Sequence, residues 1–190
     1  VEAFLVSTGV VALSEMGDKT QLLAMLLAVK FKRPIPIILG ILISTLANHA
    51  LAGSVGEWVA RAMGPEVLRW VVGGSFLVMA LWILVPDRVD TDATESGTRF
   101  GVFGTTVITF FLAEMGDKTQ IATVALAARY DTLWAVVAGT TLGMMIANVP
   151  AVFLGDTIAK RVSMPLVHSV ASAIFATLGL LTLFNVAKLF

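Results

Sequence analysis

Glu15-Met16-Gly17-Asp18-Lys19-Thr20-Gln21 and Glu114-Met115-Gly116-Asp117-Lys118-Thr119-Gln120 are the same seven residues, written twice at a displacement of 99. Each copy carries two acids, a lysine and a glycine into a stretch that is otherwise apolar, and an identity of that length and polarity marks a duplication. Outward from the two copies the likeness thins but persists. Gly40 stands opposite Gly139 and Gly56-Glu57 opposite Gly155-Asp156 at the same displacement, while Asn48 stands opposite Asn148 after a slip of one residue.

The solvent around this duplication is read from composition. The 190 residues are 57% apolar with a mean hydropathy of +0.91, against roughly 45–50% apolar in soluble domains. Crossing about 30 Å of hydrocarbon takes about 20 apolar residues. Six stretches qualify, near residues 3–29, 34–56, 68–85, 101–128, 133–155 and 166–188. Only helices and closed barrels satisfy every backbone group in lipid, and these runs lack the alternation of barrel strands. The expectation is an all-α membrane protein of six transmembrane helices.

The Asp- and Thr-rich segment 86–100 divides the chain into three-helix units, 1–85 and 101–190. Three is odd, so the second unit enters the membrane from the opposite side and the two form inverted repeats. Each motif then falls about 12 residues into its helix, or ~18 Å at 1.5 Å per residue, so both can meet near the bilayer centre. Lys30, Lys32, Arg33, Arg88, Arg99, Lys160 and Arg161 lie on the linker side, against Arg61, Arg69, Arg129 and Lys188 on the other. Basic residues collect in cytoplasmic loops, which places the linker in the cytoplasm. No cleavable signal pattern is visible, and the first segment is taken as a retained span.

Thirteen basic and thirteen acidic side chains cancel, which offers nothing to a nucleic acid, and the absence of cysteine excludes thiolate sites and disulfides. Two histidines, His49 and His168, are too few for a nitrogen-rich centre. What remains is the buried charge. Six lipid-facing groups (Glu15, Asp18, Lys19, Glu114, Asp117, Lys118) would cost on the order of 15–20 kcal/mol, so they must face protein, water or each other. On a continuous helix Glu15 and Asp18 lie about 60° apart and point into one cavity. Gly17 and Gly116 allow close packing or an opening of the helix that frees carbonyl oxygens.

Four carboxylates and two ammonium groups leave a formal charge of two minus, which a divalent cation neutralises. The candidate metal ligands are Glu15, Asp18, Glu114 and Asp117. Lys19, Lys118, Thr20, Thr119, Gln21, Gln120, Asn48 and Asn148 are supporting candidates. Such oxygen donors suit Mn²⁺, Ca²⁺ or Mg²⁺ better than Zn²⁺ or copper. Emptied of metal, clustered acids out of water take up protons, which makes metal/proton exchange the simplest cycle. The bland alternative is an intrahelical ion pair, Glu15 with Lys19 and Glu114 with Lys118; it leaves Asp18 and Asp117 without a role. The asparagines fit interhelical hydrogen bonding equally well, His49 reads as a buried neighbour of the site, and the glutamines and threonines can bond to backbone.

With both motifs in full, the chain resembles the membrane family defined by paired Glu-x-Gly-Asp-Lys/Arg-Thr/Ser signatures, which includes Golgi and chloroplast manganese/calcium transporters and bacterial manganese exporters. The resemblance covers essentially the whole chain. It implies a secondary transporter exporting Mn²⁺, with Ca²⁺ as an alternative, in exchange for protons, with the motif acids as ligands and no cofactor. Without a long N-terminal extension the chain looks more like the compact bacterial members, which implies a bacterial inner membrane and leaves room for a homo-oligomer. Two competing classes use the same acids. A passive cation channel would lack coupled gating. An intramembrane aspartyl protease carries Gly-x-Gly-Asp on one helix, whereas here Glu stands two residues before each glycine and a lysine follows each aspartate, so no enzymatic activity is expected.

Overall fold

The computed structural model describes residues 1–85, 100–154 and 164–184, so the linker 86–99 and the charged loop around Lys160 and Arg161 lie outside the described residues. Among the described residues the chain is helical with no strand: α1 (Glu2–Glu15), α2 (Lys19–Phe31), α3 (Pro34–Ala62), α4 (Pro65–Trp82), α5 (Gly101–Glu114), α6 (Lys118–Arg129), α7 (Leu133–Leu154) and α8 (Met164–Leu183). Pro34 and Pro65 open α3 and α4 at positions where a missing N–H costs nothing. Lys32 closes α2 in a left-handed conformation, its N–H donating to the Ala28 carbonyl. Four helices, α3, α4, α7 and α8, are long and apolar enough to cross a membrane. Their outward faces carry exposed Leu39, Ile43, Val78, Leu142 and Leu180, as a lipid-facing surface should.

The stretches expected as the first and fourth continuous spans are each two shorter helices. α1 ends at Glu15 and α2 begins at Lys19; α5 ends at Glu114 and α6 begins at Lys118. The cause is local. Gly17 and Gly116 adopt φ of 84° and 76°, in the left-handed region that glycine enters without penalty. The residues on either side of each are extended rather than helical. Because the helix is interrupted, the 60° spacing between Glu15 and Asp18 does not apply, and neither does the i,i+4 pairing of Glu15 with Lys19.

Packing follows the displacement of 99. Gly40 of α3 lies against Thr106 and the Phe103 carbonyl of α5, and Gly139 of α7 lies against Ser7 and the Phe4 carbonyl of α1. A Cβ on Gly139 would sit 2.5 Å from that carbonyl oxygen, so only glycine permits the approach. At the α4/α8 crossing, Gly73 meets the Gly179 carbonyl, and 99 residues away Ser172 Oγ donates to the Ala80 carbonyl at 2.7 Å. At this constant displacement the counterpart of Asn148 is His49 and that of Asn48 is Ala147. The one-residue slip that matched the two asparagines is therefore a coincidence of composition.

Two apolar cores result. The first joins Ala3 and Val10 of α1, Val72 and Phe76 of α4, Leu126 of α6 and Phe175 of α8. The second joins Leu23 and Leu27 of α2, Ile37 and Ile41 of α3, Phe110 of α5 and Ala151 of α7. Tyr130, which ends α6, donates from its hydroxyl to Glu2 at the start of α1 at 3.3 Å, so the first core lies at the end of the molecule holding the start of α1. The motifs sit between the cores.

Candidate metal centre

The two elbows are built alike. Met16 and Met115 have φ/ψ of −66°/117° and −64°/121°, and Asp18 and Asp117 have −81°/169° and −78°/165°. The N–H of Asp18 donates to the Glu15 carbonyl and that of Asp117 to the Glu114 carbonyl, each at 3.1 Å. Gln21 Oε1 accepts from the N–H of Gly17 at 3.0 Å, and Gln120 Oε1 from that of Gly116 at 2.8 Å. Each motif residue thus has a mechanical reason. Glycine makes the bend, and glutamine satisfies the amide that the bend exposes. Aspartate occupies the N-cap position of the second half-helix, yet neither aspartate makes a side-chain capping bond. Cap-type backbone geometry is obtained without spending the carboxylate on it.

Glu15, Asp18, Glu114 and Asp117 are all buried. One carboxylate oxygen each from Glu15, Glu114 and Asp117 lie within 4.8 Å of one another, so both copies of the motif contribute to one cluster. Asp18 is buried beside it in sequence but is not one of the three. Thr20 Oγ1 donates to Glu15 Oε2 at 2.6 Å, and Thr119 Oγ1 lies 3.2 Å from Glu114 Oε2 and 3.3 Å from Asp117 Oδ2. The threonines therefore orient acids rather than capping backbone. Glu15 Oε1 and Glu114 Oε1 are buried with no hydrogen-bond partner. A desolvated carboxylate oxygen is costly unless a cation or a proton meets it. The half-helix ends add to this, because the carbonyl ends of α1 and α5 favour positive charge and the N–H ends of α2 and α6 favour the acids.

Lys19 reaches across from the first motif to the second, Nζ to Asp117 Oδ1 at 2.9 Å. Lys118 is buried and its Nζ donates to the Val85 carbonyl at 3.1 Å. The supporting amides make hydrogen bonds through their NH₂ groups, and Asn148 Oδ1 is buried without a partner. Gln21 Nε2 donates to the Ala147 carbonyl at 2.9 Å, and Gln120 Nε2 reaches Asn48 Oδ1 at 3.4 Å. Asn48 Nδ2 donates to the Phe111 carbonyl at 3.0 Å, and Asn148 Nδ2 to the Met144 carbonyl at 3.0 Å in its own helix. His49 is fully buried with neither ring nitrogen partnered. His168, set aside in the sequence, touches an elbow: its Nε2 lies 2.9 Å from the Met16 carbonyl. A polar ring inside an apolar span was the available signal.

Helices that can cross a membrane, two broken helices and acids buried at the breaks define the class, a helical membrane protein of the kind that handles ions. The profile of the family described as "Divalent cation/proton antiporter GDT1" matches residues 3–91 and 102–189, and the chain belongs to that family. The two matched segments begin 99 residues apart, the displacement of the motifs. A Vibrio cholerae protein named "Putative manganese exporter" is 49% identical over 180 residues, covering 94% of this chain and 89% of its own. A Synechocystis GDT1-like protein is 28% identical, covering 91% and 92%, and the yeast "Divalent cation/proton antiporter GDT1" is 24% identical, covering 97% and 84%. No solved structure matches. Membership of an antiporter family makes the chain a member of a family of transporters.

Proposed function

We infer that this protein exports a divalent cation, Mn²⁺ in the first place and Ca²⁺ in the second, in exchange for protons, at a site of Glu15, Asp18, Glu114 and Asp117. The observation that carries the reading is the cluster of three buried carboxylates drawn from both motifs, two of them with an unpartnered oxygen. Four acids against Lys19 and Lys118 leave two negative charges for one doubly charged ion, and oxygen donors select a hard cation. Protons are the other species able to neutralise the same oxygens, so metal and proton compete for one site and exchange is coupled. The manganese in the name of the Vibrio relative supports the choice of ion.

In this reading each broken pair, α1 with α2 and α5 with α6, is one discontinuous span. With α3, α4, α7 and α8 they make six spans in two inverted repeats, residues 1–85 and 101–190, joined by the linker 86–100 on the cytoplasmic side of a bacterial inner membrane. The contacts that recur at a displacement of 99 support the inversion.

Purified protein in liposomes should take up Mn²⁺ saturably, faster against an opposing proton gradient, with Ca²⁺ competing and Mg²⁺ competing weakly. Flux that follows membrane potential without saturating, or is indifferent to the proton gradient, would identify a channel and sink the exchanger. Lys19→Ala removes the positive partner of Asp117. Half-exposed pairs of this kind contribute about 1 kcal/mol, so the pH optimum and the apparent Mn²⁺ affinity should shift by up to about tenfold while maximal flux survives. An unchanged pH profile would show that Lys19 does not tune the acids.

A further inference from the structure

The cores are not equivalent. Among the described residues α4 packs on α6 and α8 packs on α1, while the counterparts of those contacts, α8 on α2 and α4 on α5, are minor at most. The α4/α8 layer therefore belongs to the first core and is absent from the second. Every other major contact has its partner at the displacement of 99, so this inequality describes a state of the molecule: closed by α4 and α8 at the end holding Glu2 and Tyr130. The elbows differ in the same sense. Gly17 and Gly116 are both exposed, but Met115 is exposed whereas Met16 is half-buried and its carbonyl lies against His168 of α8. A carbonyl can only accept, so the ring nitrogen donates.

We propose that His168 is a positioning residue that latches α8 to the first elbow in this state, and that Arg69 takes the corresponding place at the Met115 carbonyl when the opposite end closes. His168 and Arg69 stand 99 residues apart, as do Met16 and Met115. The Met16 carbonyl is released from the helix ladder by the bend, with Met16 at ψ 117°, so its pairing depends on a side chain from outside the motif. In this state Arg69 lies 3.8 Å from Glu66 Oε1 and stacks over the Trp70 ring at 5.6 Å, and its Nε is buried without a hydrogen-bond partner. Both are local contacts on its own helix, which a flexible guanidinium can leave without disturbing the fold. A donor that serves one elbow in one state and a second donor that serves the other elbow in the other state give each closed form its own stabilisation, as a two-state carrier requires. The latch rests on the carrier reading, and its test is independent of metal flux.

The natural sequence has no cysteine, so a single reporter can be introduced at Ala125, buried in the first core on α6. Labelling of Ala125→Cys by a maleimide in the reconstituted protein reads how often α4 and α8 lift away. His168→Ala should speed labelling about fivefold, the population change that one hydrogen bond is worth. His168→Gln, which keeps an N–H donor, should return the rate toward that of the parent. Arg69→Ala should slow labelling by a similar factor, and the double variant should fall between the two. Unchanged labelling in His168→Ala overturns the latch, and so does acceleration by Arg69→Ala. If His168→Ala fails to insert, the Arg69→Ala and His168→Gln rates decide alone. Absent Mn²⁺ flux in the parent protein would instead overturn the transport reading and leave the labelling result standing.

Discussion

Asp117→Asn is expected to lower divalent-cation flux at least about a hundredfold while the protein still inserts and remains folded. Asparagine keeps the size and one oxygen of the side chain, so packing around the elbow is preserved. It removes a negative charge from a buried cluster and leaves the Lys19 ammonium facing a neutral amide in place of the carboxylate 2.9 Å away. Loss of this part-exposed pair accounts for about 1 kcal/mol, so most of a hundredfold loss, about 2.7 kcal/mol in all, is expected from the missing charge at the cluster. The formal charge of the cluster also falls from two minus to one, so a divalent ion no longer meets its neutralising set. Asp18→Asn should behave alike. Flux of ⁵⁴Mn into liposomes, normalised to inserted protein, is the measurement, with thermal unfolding in detergent as the folding control. Wild-type flux from either variant would mean that the acids do not share an ion.

How much of this was visible beforehand follows from which features are local. The repeat was legible because seven identical residues, five of them polar, interrupt apolar spans. The all-helical architecture was legible because lipid removes most alternatives. The break at residues 16–18 was only half legible. Gly17 signalled freedom, but Lys19-Thr20-Gln21-Leu22 are acceptable helix residues, and periodicity carries straight through the bend. The purpose of Gln21 is intelligible only once the bend exposes the Gly17 amide, because a glutamine accepting from that N–H has no place in an unbroken helix.

The pairing of Lys19 with Asp117 could not be read at all. Spacing along the sequence favours Glu15, and only the meeting of the two elbows brings the second aspartate closer. His168 was missed for the same reason, since its contact with Met16 joins residues far apart in the chain. Asn48 and Asn148 misled because matching residue types outweighed the register that Gly40 and Gly139 set by their contacts.

The bend itself can be tested apart from the charges. Gly116 has φ of 76°, and a Cβ placed there would meet nothing within 4 Å. A Cβ at this position therefore causes no clash, and the first effect of a substitution is on the backbone. L-residues in the left-handed region cost roughly 1–2 kcal/mol, more when β-branched, whereas asparagine visits it readily. Gly116→Val should consequently favour a right-handed turn that runs α5 into α6 and swings Asp117 away from Glu15 and Glu114. The expected loss of flux is about tenfold or more, since ~1.4 kcal/mol of bias is one decade. Gly116→Asn, more polar than valine but at home in the left-handed region, should retain more activity than Gly116→Val. That order inverts what hydrophobicity would predict in a membrane. If valine transports as well as glycine, or asparagine proves the worse of the two, the broken helix is dispensable and the acids must be brought together by some other feature of the fold.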